Sequence, residues 1–201
     1  MSSSTEHQAL DVRQGILATG QRIMAGKGFS AVGLNEILTT AGVPKGSFYH
    51  YFASKDAYGE ALLENYFAVY LAEIDETLSR PGLTMAQRLM TYWAQWRDNQ
   101  SVLDCQGRCL AVKLGAEVAD LSEPMRLALK RGTAAIISRL KGAIAAGVAE
   151  GSLSVTDDPH CIAQSLYQLW LGASVMAKIV RGMQPLDTAM ITTRQILQLS
   201  S

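Results

Sequence analysis

No charge of one sign dominates this chain, whose 201 residues carry 18 lysines and arginines against 18 aspartates and glutamates. That balance argues against a protein that coats nucleic acid or anionic membrane through bulk charge. Cysteine is scarce. The three thiols, Cys105, Cys109 and Cys161, cannot all pair, and no CxxC or Cys/His spacing suits zinc. Reduced thiols are therefore expected, with no metal and no cofactor. Long hydrophobic runs are also missing, because Cys161 to Val180 is interrupted by Gln164, Ser165, Gln168 and Lys178. Met1 to His7 is polar and no compact apolar stretch with a small-residue cleavage site follows, so no secretory leader is expected. A cytoplasmic protein without a membrane partner is the expectation. With 48% hydrophobic and 18% charged residues, disorder and collagen are excluded, and the length allows a core that needs no disulfide or metal.

What is present is helical periodicity throughout, with no strand-like alternation, so the fold class is all-α with about nine helices. Leu10, Ile16, Leu17, Ile23 and Met24 repeat at three- and four-residue steps before a stop at Lys27-Gly28. Leu34, Ile37 and Leu38 mark a short second helix ending at Ala41-Gly42. Pro44 opens a third, through about Tyr51. Ser54 is placed to cap a long fourth, with Leu63, Tyr66, Phe67, Tyr70, Ile74 and Leu78 as its buried stripe. Thr84 and Gln87 have capping-box spacing at the start of a fifth, which carries Leu89, Trp93 and Trp96. A sixth spans Cys109 to Val118, a seventh runs from Ser122-Glu123-Pro124 to Glu150-Gly151, and an eighth from Asp157-Asp158-Pro159 to Arg181-Gly182. The ninth follows Pro185-Leu186-Asp187 and ends near Leu199. No internal repeat or low-complexity tract interrupts this order.

Residues 28–55 place two short helices across a tight Ala41-Gly42-Val43 turn, which is helix-turn-helix spacing. In such a motif the second helix offers its N-terminal side chains to a DNA groove while amides and hydroxyls hold phosphates. Lys45, Ser47, Tyr49 and His50 supply a cation, a hydroxyl, a phenol and an imidazole, and Gly46 permits close approach. Phe48, Tyr51 and Phe52 suit the interior. The spacing by itself fits a plain helical hairpin with an aromatic core equally well. Charge adds little, since residues 1–55 carry five basic against three acidic side chains and the remainder 13 against 15.

The run Gly42-Val43-Pro44-Lys45-Gly46-Ser47-Phe48-Tyr49-His50-Tyr51-Phe52, with Ser54-Lys55 after it, resembles the DNA-binding signature of the TetR family. The resemblance implies an N-terminal three-helix DNA-binding domain, residues 1–55, and a larger helical ligand-binding and dimerisation domain, residues 56–201. It places Lys45, Gly46, Ser47, Tyr49 and His50 on the recognition helix, Lys55 at a phosphate, and Asn35 where it can reach a base edge. It also implies a homodimer through the last two helices that binds double-stranded DNA at a palindromic operator. Ile162, Leu166, Leu169, Ala173 and Val180, with Met190, Ile191, Ile196 and Leu197, are the apolar residues expected at that interface. Gly107 to Val118 and Leu169 to Ala173 are similar to an electrophile-responsive subgroup of the family.

Cys109 is the expected sensor. A helix N-terminus beside Arg108 and Lys113 favours the thiolate, although a small buried cysteine filling a helix contact fits the same position. Cys105 has the spacing of a resolving thiol but fits incidental exposure on a loop better, and Cys161 is expected to be packed. Lys178 interrupts an apolar stretch and either snorkels or faces the cavity near Cys109. Trp93, Trp96, Tyr92, Tyr167, Trp170 and Met176 are candidates for an apolar ligand pocket, or simply for core. Three readings follow: a repressor released by an electrophile or oxidant at Cys109, a repressor released by a non-covalent apolar inducer, and a thiol-dependent helical enzyme. The last has no Cys/His pair to support it, since His7, His50 and His160 fall on separate elements. No catalytic residue is assigned.

Overall fold

The computed structural model describes residues 2–101 and 109–199. Among them the chain is all helical: α1 (Ser2–Lys27), α2 (Leu34–Ala41), α3 (Lys45–Tyr51), α4 (Lys55–Leu78), α5 (Met85–Ser101), α6 (Leu110–Leu121), α7 (Glu123–Ala149), α8 (Pro159–Val180) and α9 (Gln184–Ile196). The helix ends follow local capping chemistry. Ser54 Oγ accepts from the Ala57 amide at 3.0 Å, and Thr84 and Gln87 exchange two bonds at 2.9 and 3.3 Å. Asp158 accepts from the Cys161 amide at 3.0 Å ahead of Pro159. Two starts lie upstream of the sequence expectation. α1 begins at Ser2, before the first apolar repeat, and α9 begins at Gln184, because Pro185 is tolerated in a first turn whose amide lacks a helical partner anyway.

The helices gather into two compact units, each discontinuous in sequence: residues 1–68 with 109–131, and 69–108 with 132–201. The first unit is built on α1–α3, the start of α4, and α6. Ile16, Leu17, Met24, Val32, Ile37 and Leu38 form its aliphatic floor. Phe48, Phe52 and Tyr58 pack ring to ring at 5.0 to 5.6 Å beside them. The Tyr58 hydroxyl donates to the Ile16 carbonyl at 3.0 Å, and burial pushes that phenol far above its ordinary value. α1 and α4 approach so closely here that a Cβ on Gly20 would stand 1.6 Å from the Tyr58 hydroxyl oxygen.

The second unit is cored by aromatic rings. Trp93 of α5 stacks on Trp170 of α8 at 5.1 Å and 16°, with Trp96 and Tyr167 edge-on at 5.7 Å. Hydrogen bonds tie the rings to two helices: Trp96 Nε1 donates to Ser174 Oγ at 3.0 Å, and Trp170 Nε1 to Thr193 Oγ1 of α9 at 2.9 Å. Both hydroxyls pass the bond on to carbonyls one turn back, Trp170 and Ala189, so no polar atom in these links is left unmet. At the surface Arg139 of α7 grips Asp75 of α4 through two bonds at 2.7 and 3.0 Å.

Candidate functional site

A DNA-reading element needs polar side chains carried on a rigid turn. Gly42 ends α2 in the left-handed conformation, φ 68°, which a side chain would strain, and the Val43 amide then bonds back to the Leu38 carbonyl at 2.9 Å. Pro44 caps α3 from an extended conformation, and the buried Phe48 anchors the helix from beneath. The outer side is left to polar groups: Lys45, Gly46, Tyr49 and His50 are exposed, Ser47 is half-buried, and Asn35 is exposed on α2. Around Gly46 a Cβ would meet nothing within 4 Å, so the backbone there is open to approach. Tyr49 is 57% exposed, unusual for an aromatic ring that also packs edge-on against a core residue, Phe48, at 5.4 Å.

Lys55 sits differently. It is half-buried, with Nζ donating to the Phe29 carbonyl at 3.0 Å and lying 4.5 Å from the centre of the Phe29 ring. A phosphate contact would therefore share or replace these bonds. The same turn meets a second helix. Glu117 of α6 accepts from the amides of Phe29 at 3.0 Å and Ser30 at 2.7 Å. Burial pushes this carboxyl up, but the bonds from Ser30 and Phe29 and the nearby charge of Lys113 outweigh it, and the group is held below the ordinary range. Gly28, at φ 89°, brings the two amides to the carboxylate.

Cys109 is the N-cap of α6 and is half-buried, with its carbonyl accepting from the Lys113 amide at 3.1 Å. Cys105, the alternative resolving thiol, and Arg108, the flanking cation, lie outside the described residues. Cys161 corrects an expectation: it is exposed, because the first turn of α8 directs its apolar side, Ile162 and Ala163, inward instead. The Asp158 hydrogen bond and charge, with Asp157 behind them, push its thiol up and away from the reactive form.

In the second unit Trp93, Trp96, Tyr92, Tyr167 and Trp170 are all buried and packed against one another. Met176 instead is exposed on α8. Lys178 is half-buried in the last turn of α8, where a cation suits the helix dipole, and belongs to the second unit while Cys109 belongs to the first. Of the apolar residues expected at an interface, Ile162, Leu166, Ala173 and Leu197 are consumed inside the unit. Of the same set Val180 and Ile191 are exposed and Leu169, Met190 and Ile196 are half-buried, while Val175, Met176 and Ile179, outside that set, are exposed too. A groove of about 450 Å³ between α8 and α9 runs past Leu169, Gly172, Met176 and Pro185. A second, of about 530 Å³, lies between α5 and α9 beside Met90, Ala94 and Arg194. Among the described residues no cluster of three His, Cys, Asp or Glu side chains is placed to hold a metal, and no helix is long and apolar enough to cross a membrane.

Comparison with known proteins matches residues 16–62 to the bacterial regulatory proteins of the tetR family and residues 85–193 to a tetracyclin repressor-like C-terminal domain. The chain belongs to the TetR family. It is a DNA-binding regulator with the family's fold, an N-terminal helix-turn-helix followed by a helical C-terminal part. Similar relatives include the HTH-type transcriptional repressor NemR of Escherichia coli strain K12, 41% identical over 197 residues and covering 98% of each chain. The HTH-type transcriptional repressor DhaR of Mycobacterium sp. strain GP1 is 32% identical over 88% of this chain and 87% of its own. The crystal structure of the reduced form of E. coli NemR superposes with a TM-score of 0.89 at 42% identity, over 93% of this chain and 97% of that one.

In this TetR-family chain one polar contact had no place among the residues expected to matter, the Glu117 carboxylate on the α1–α2 turn. Its sequence signals are faint: a glycine after α1 that turns two amides outward, and one of the two acids on α6.

Proposed function

We propose that the chain is a homodimeric transcriptional repressor of the cytoplasm that reads a palindromic operator with residues 1–55 and dimerises and senses its inducer with residues 56–201. The observation that carries the reading is the exposed set Asn35, Lys45, Tyr49 and His50 on a helix-turn-helix whose aromatic residues Phe48 and Phe52 are fixed inside. Lys45, Gly46, Ser47 and Lys55 serve phosphates, and Asn35, Tyr49 and His50 serve base edges. The apolar end of α8, with Ile179 at 67% exposure, supports pairing with a second copy through α8 and α9. Two recognition helices then meet half-sites about 34 Å, one helical turn, apart or at multiples of it.

Cys109 is the proposed sensor. Cys109 is half-buried at the N-cap position of α6, and the E. coli relative's structure is described as a reduced form, which supports a redox-responsive thiol. Its thiolate adds to the double bond of an electrophile such as N-ethylmaleimide, forming one S–C bond, while the displaced π pair takes up a proton. Lys178 is proposed to steady an anionic group in the second unit. The second reading, a non-covalent apolar inducer, is favoured by the groove between α5 and α9; Trp93, Trp96, Tyr167 and Trp170 line neither groove and serve as core.

The test is binding to DNA from upstream of the protein's own gene at fixed salt, with and without N-ethylmaleimide. Wild type should bind and be released, Cys109→Ser should bind and stay, and Tyr49→Ala should bind at least about tenfold more weakly. Cys161→Ser should behave as wild type. If wild type and Cys109→Ser both stay bound after treatment, the non-covalent reading replaces the covalent one.

A further inference from the structure

The turn between α1 and α2 is gripped by two helices of the first unit. Glu117 of α6 takes the Phe29 and Ser30 amides, and Lys55 of α4 takes the Phe29 carbonyl. The Phe29 ring lies against Gly59 of α4, where an added Cβ would stand 2.8 Å from the ring and 2.5 Å from Met125 Sδ of α7. Gly28 completes the fit, since a Cβ on it would come within 2.8 Å of Glu117 Oε2. Closing a small three-helix core does not require this acceptor. Turn amides of this kind are ordinarily met by water or by a nearby Asn, Asp, Ser or Thr. Here the acceptor for Phe29 lies 88 residues away, on the helix capped by Cys109.

α6 is a short, stiff rod. From Cys109 to Glu117 it rises about 12 Å over two turns, and its buried face, Leu110, Leu114 and Val118, makes it move as a body. Lys113 lies one turn from each end of that span, its amide bonded to the Cys109 carbonyl and its charge beside Glu117.

We propose that Glu117 is the coupling residue of this regulator: its carboxylate on the Phe29 and Ser30 amides is the contact through which the position of α6 sets the register of the helix-turn-helix. The proposal takes its input from the thiol-sensing reading above, whereas the contact itself stands apart from that reading. The operator-competent arrangement keeps both bonds. A displacement of α6 by about 1 Å, ordinary for a helix shift in a switching protein, breaks charge-assisted bonds whose tolerance is a few tenths of an ångström. The freed turn carries the Phe29 carbonyl away from Lys55 at the entry to α4. Glu117 touches no DNA and acts as a positioning residue.

Two readouts on full-length wild type and Glu117→Gln decide the matter. In operator binding at fixed salt, wild type should lose at least about tenfold in affinity after N-ethylmaleimide, within the usual range of allosteric coupling. Glu117→Gln presents an NH₂ where one turn amide needs an acceptor. Lacking one of the two bonds that the operator-competent arrangement keeps, it should bind untreated operator at least about tenfold more weakly than wild type and lose less than about threefold further on treatment. Equal release of both proteins overturns the proposal. In amide exchange of wild type, operator DNA should slow the Phe29 and Ser30 amides at least about tenfold. Unchanged exchange at those two amides overturns it as well. If the reagent leaves wild type bound, the thiol reading fails and the exchange result alone decides the coupling; it also decides if Glu117→Gln fails to fold. Glu117→Asp, with its charge kept and its carboxylate drawn back by one methylene, should be as deaf to the reagent as Glu117→Gln. Full release of Glu117→Asp would assign the effect to charge and end the proposal.

Discussion

The two units reach close packing by opposite means. In the first, helices approach until only hydrogen fits: Gly20 lies under the Tyr58 hydroxyl, and Gly59 lies under Phe29 and Met125. In the second, helices are held apart by large rings, with Trp93 on Trp170 and Trp96 and Tyr167 beside them. The first is therefore fragile to added atoms and the second to removed ones. The difference suits the proposed division of work. A reading head whose backbones nearly touch holds its recognition helix in one position, while a ring-filled bundle has rotamers with which to respond to a guest.

Reciprocal substitutions sharpen the contrast. Trp170→Ala should have the largest effect, about 3–5 kcal/mol of stability by urea unfolding, because it removes a stacked ring and the hydrogen bond that ring donates to Thr193 Oγ1. An unfolding midpoint within error of wild type would contradict the ring-filled description. Gly20→Ala comes next. Alanine gains about 1 kcal/mol of helix propensity over glycine, but overpacking against Tyr58 costs about 1–3 kcal/mol, so the net change is a smaller loss together with weaker operator binding. Adding Tyr58→Phe removes the clashing oxygen and should recover part of that loss; a further loss instead would place the strain elsewhere.

Acid supplies the smallest effect. The Glu117 carboxyl titrates below its ordinary value of 4.5, so its stabilising contribution is complete above that value and is lost as pH falls through the depressed one. The stability gap between wild type and Glu117→Gln should then narrow in urea melts from about pH 6 to about pH 3. A gap that stays constant over that range would show that the carboxylate's bonds to Phe29 and Ser30 contribute nothing through its charge.

Helix ends were the most legible part of the chain, because a cap is a local transaction. Ser54, Thr84 with Gln87, Asp158 with Pro159, and Gly42 each announce a boundary within four residues of where the bond forms. The helix-turn-helix was legible for the same reason, as an unbroken run from Gly42 to Phe52. What stayed hidden depends on distant partners. Lys55 reads locally as a free cation for phosphate, yet it lies on Phe29, 26 residues upstream. Cys161 sits in a densely apolar stretch, and only the direction of the first turn of α8 puts it outside. The tryptophans could equally line a pocket or fill a core, since the choice depends on whether α5 and α8 bring their rings to stacking distance. Glu117 had only a faint local mark because its bonding partners belong to another helix pair altogether.

All three tryptophans of the chain, Trp93, Trp96 and Trp170, belong to the second unit. The reading head is consequently dark in tryptophan emission and visible only through tyrosine and backbone ellipticity. Any change in tryptophan fluorescence on adding an inducer originates in the second unit, and any change on adding operator DNA alone has travelled there. A melt followed by tryptophan emission and by far-ultraviolet dichroism in parallel therefore asks whether the two units unfold as one, and coincident curves mean that they do.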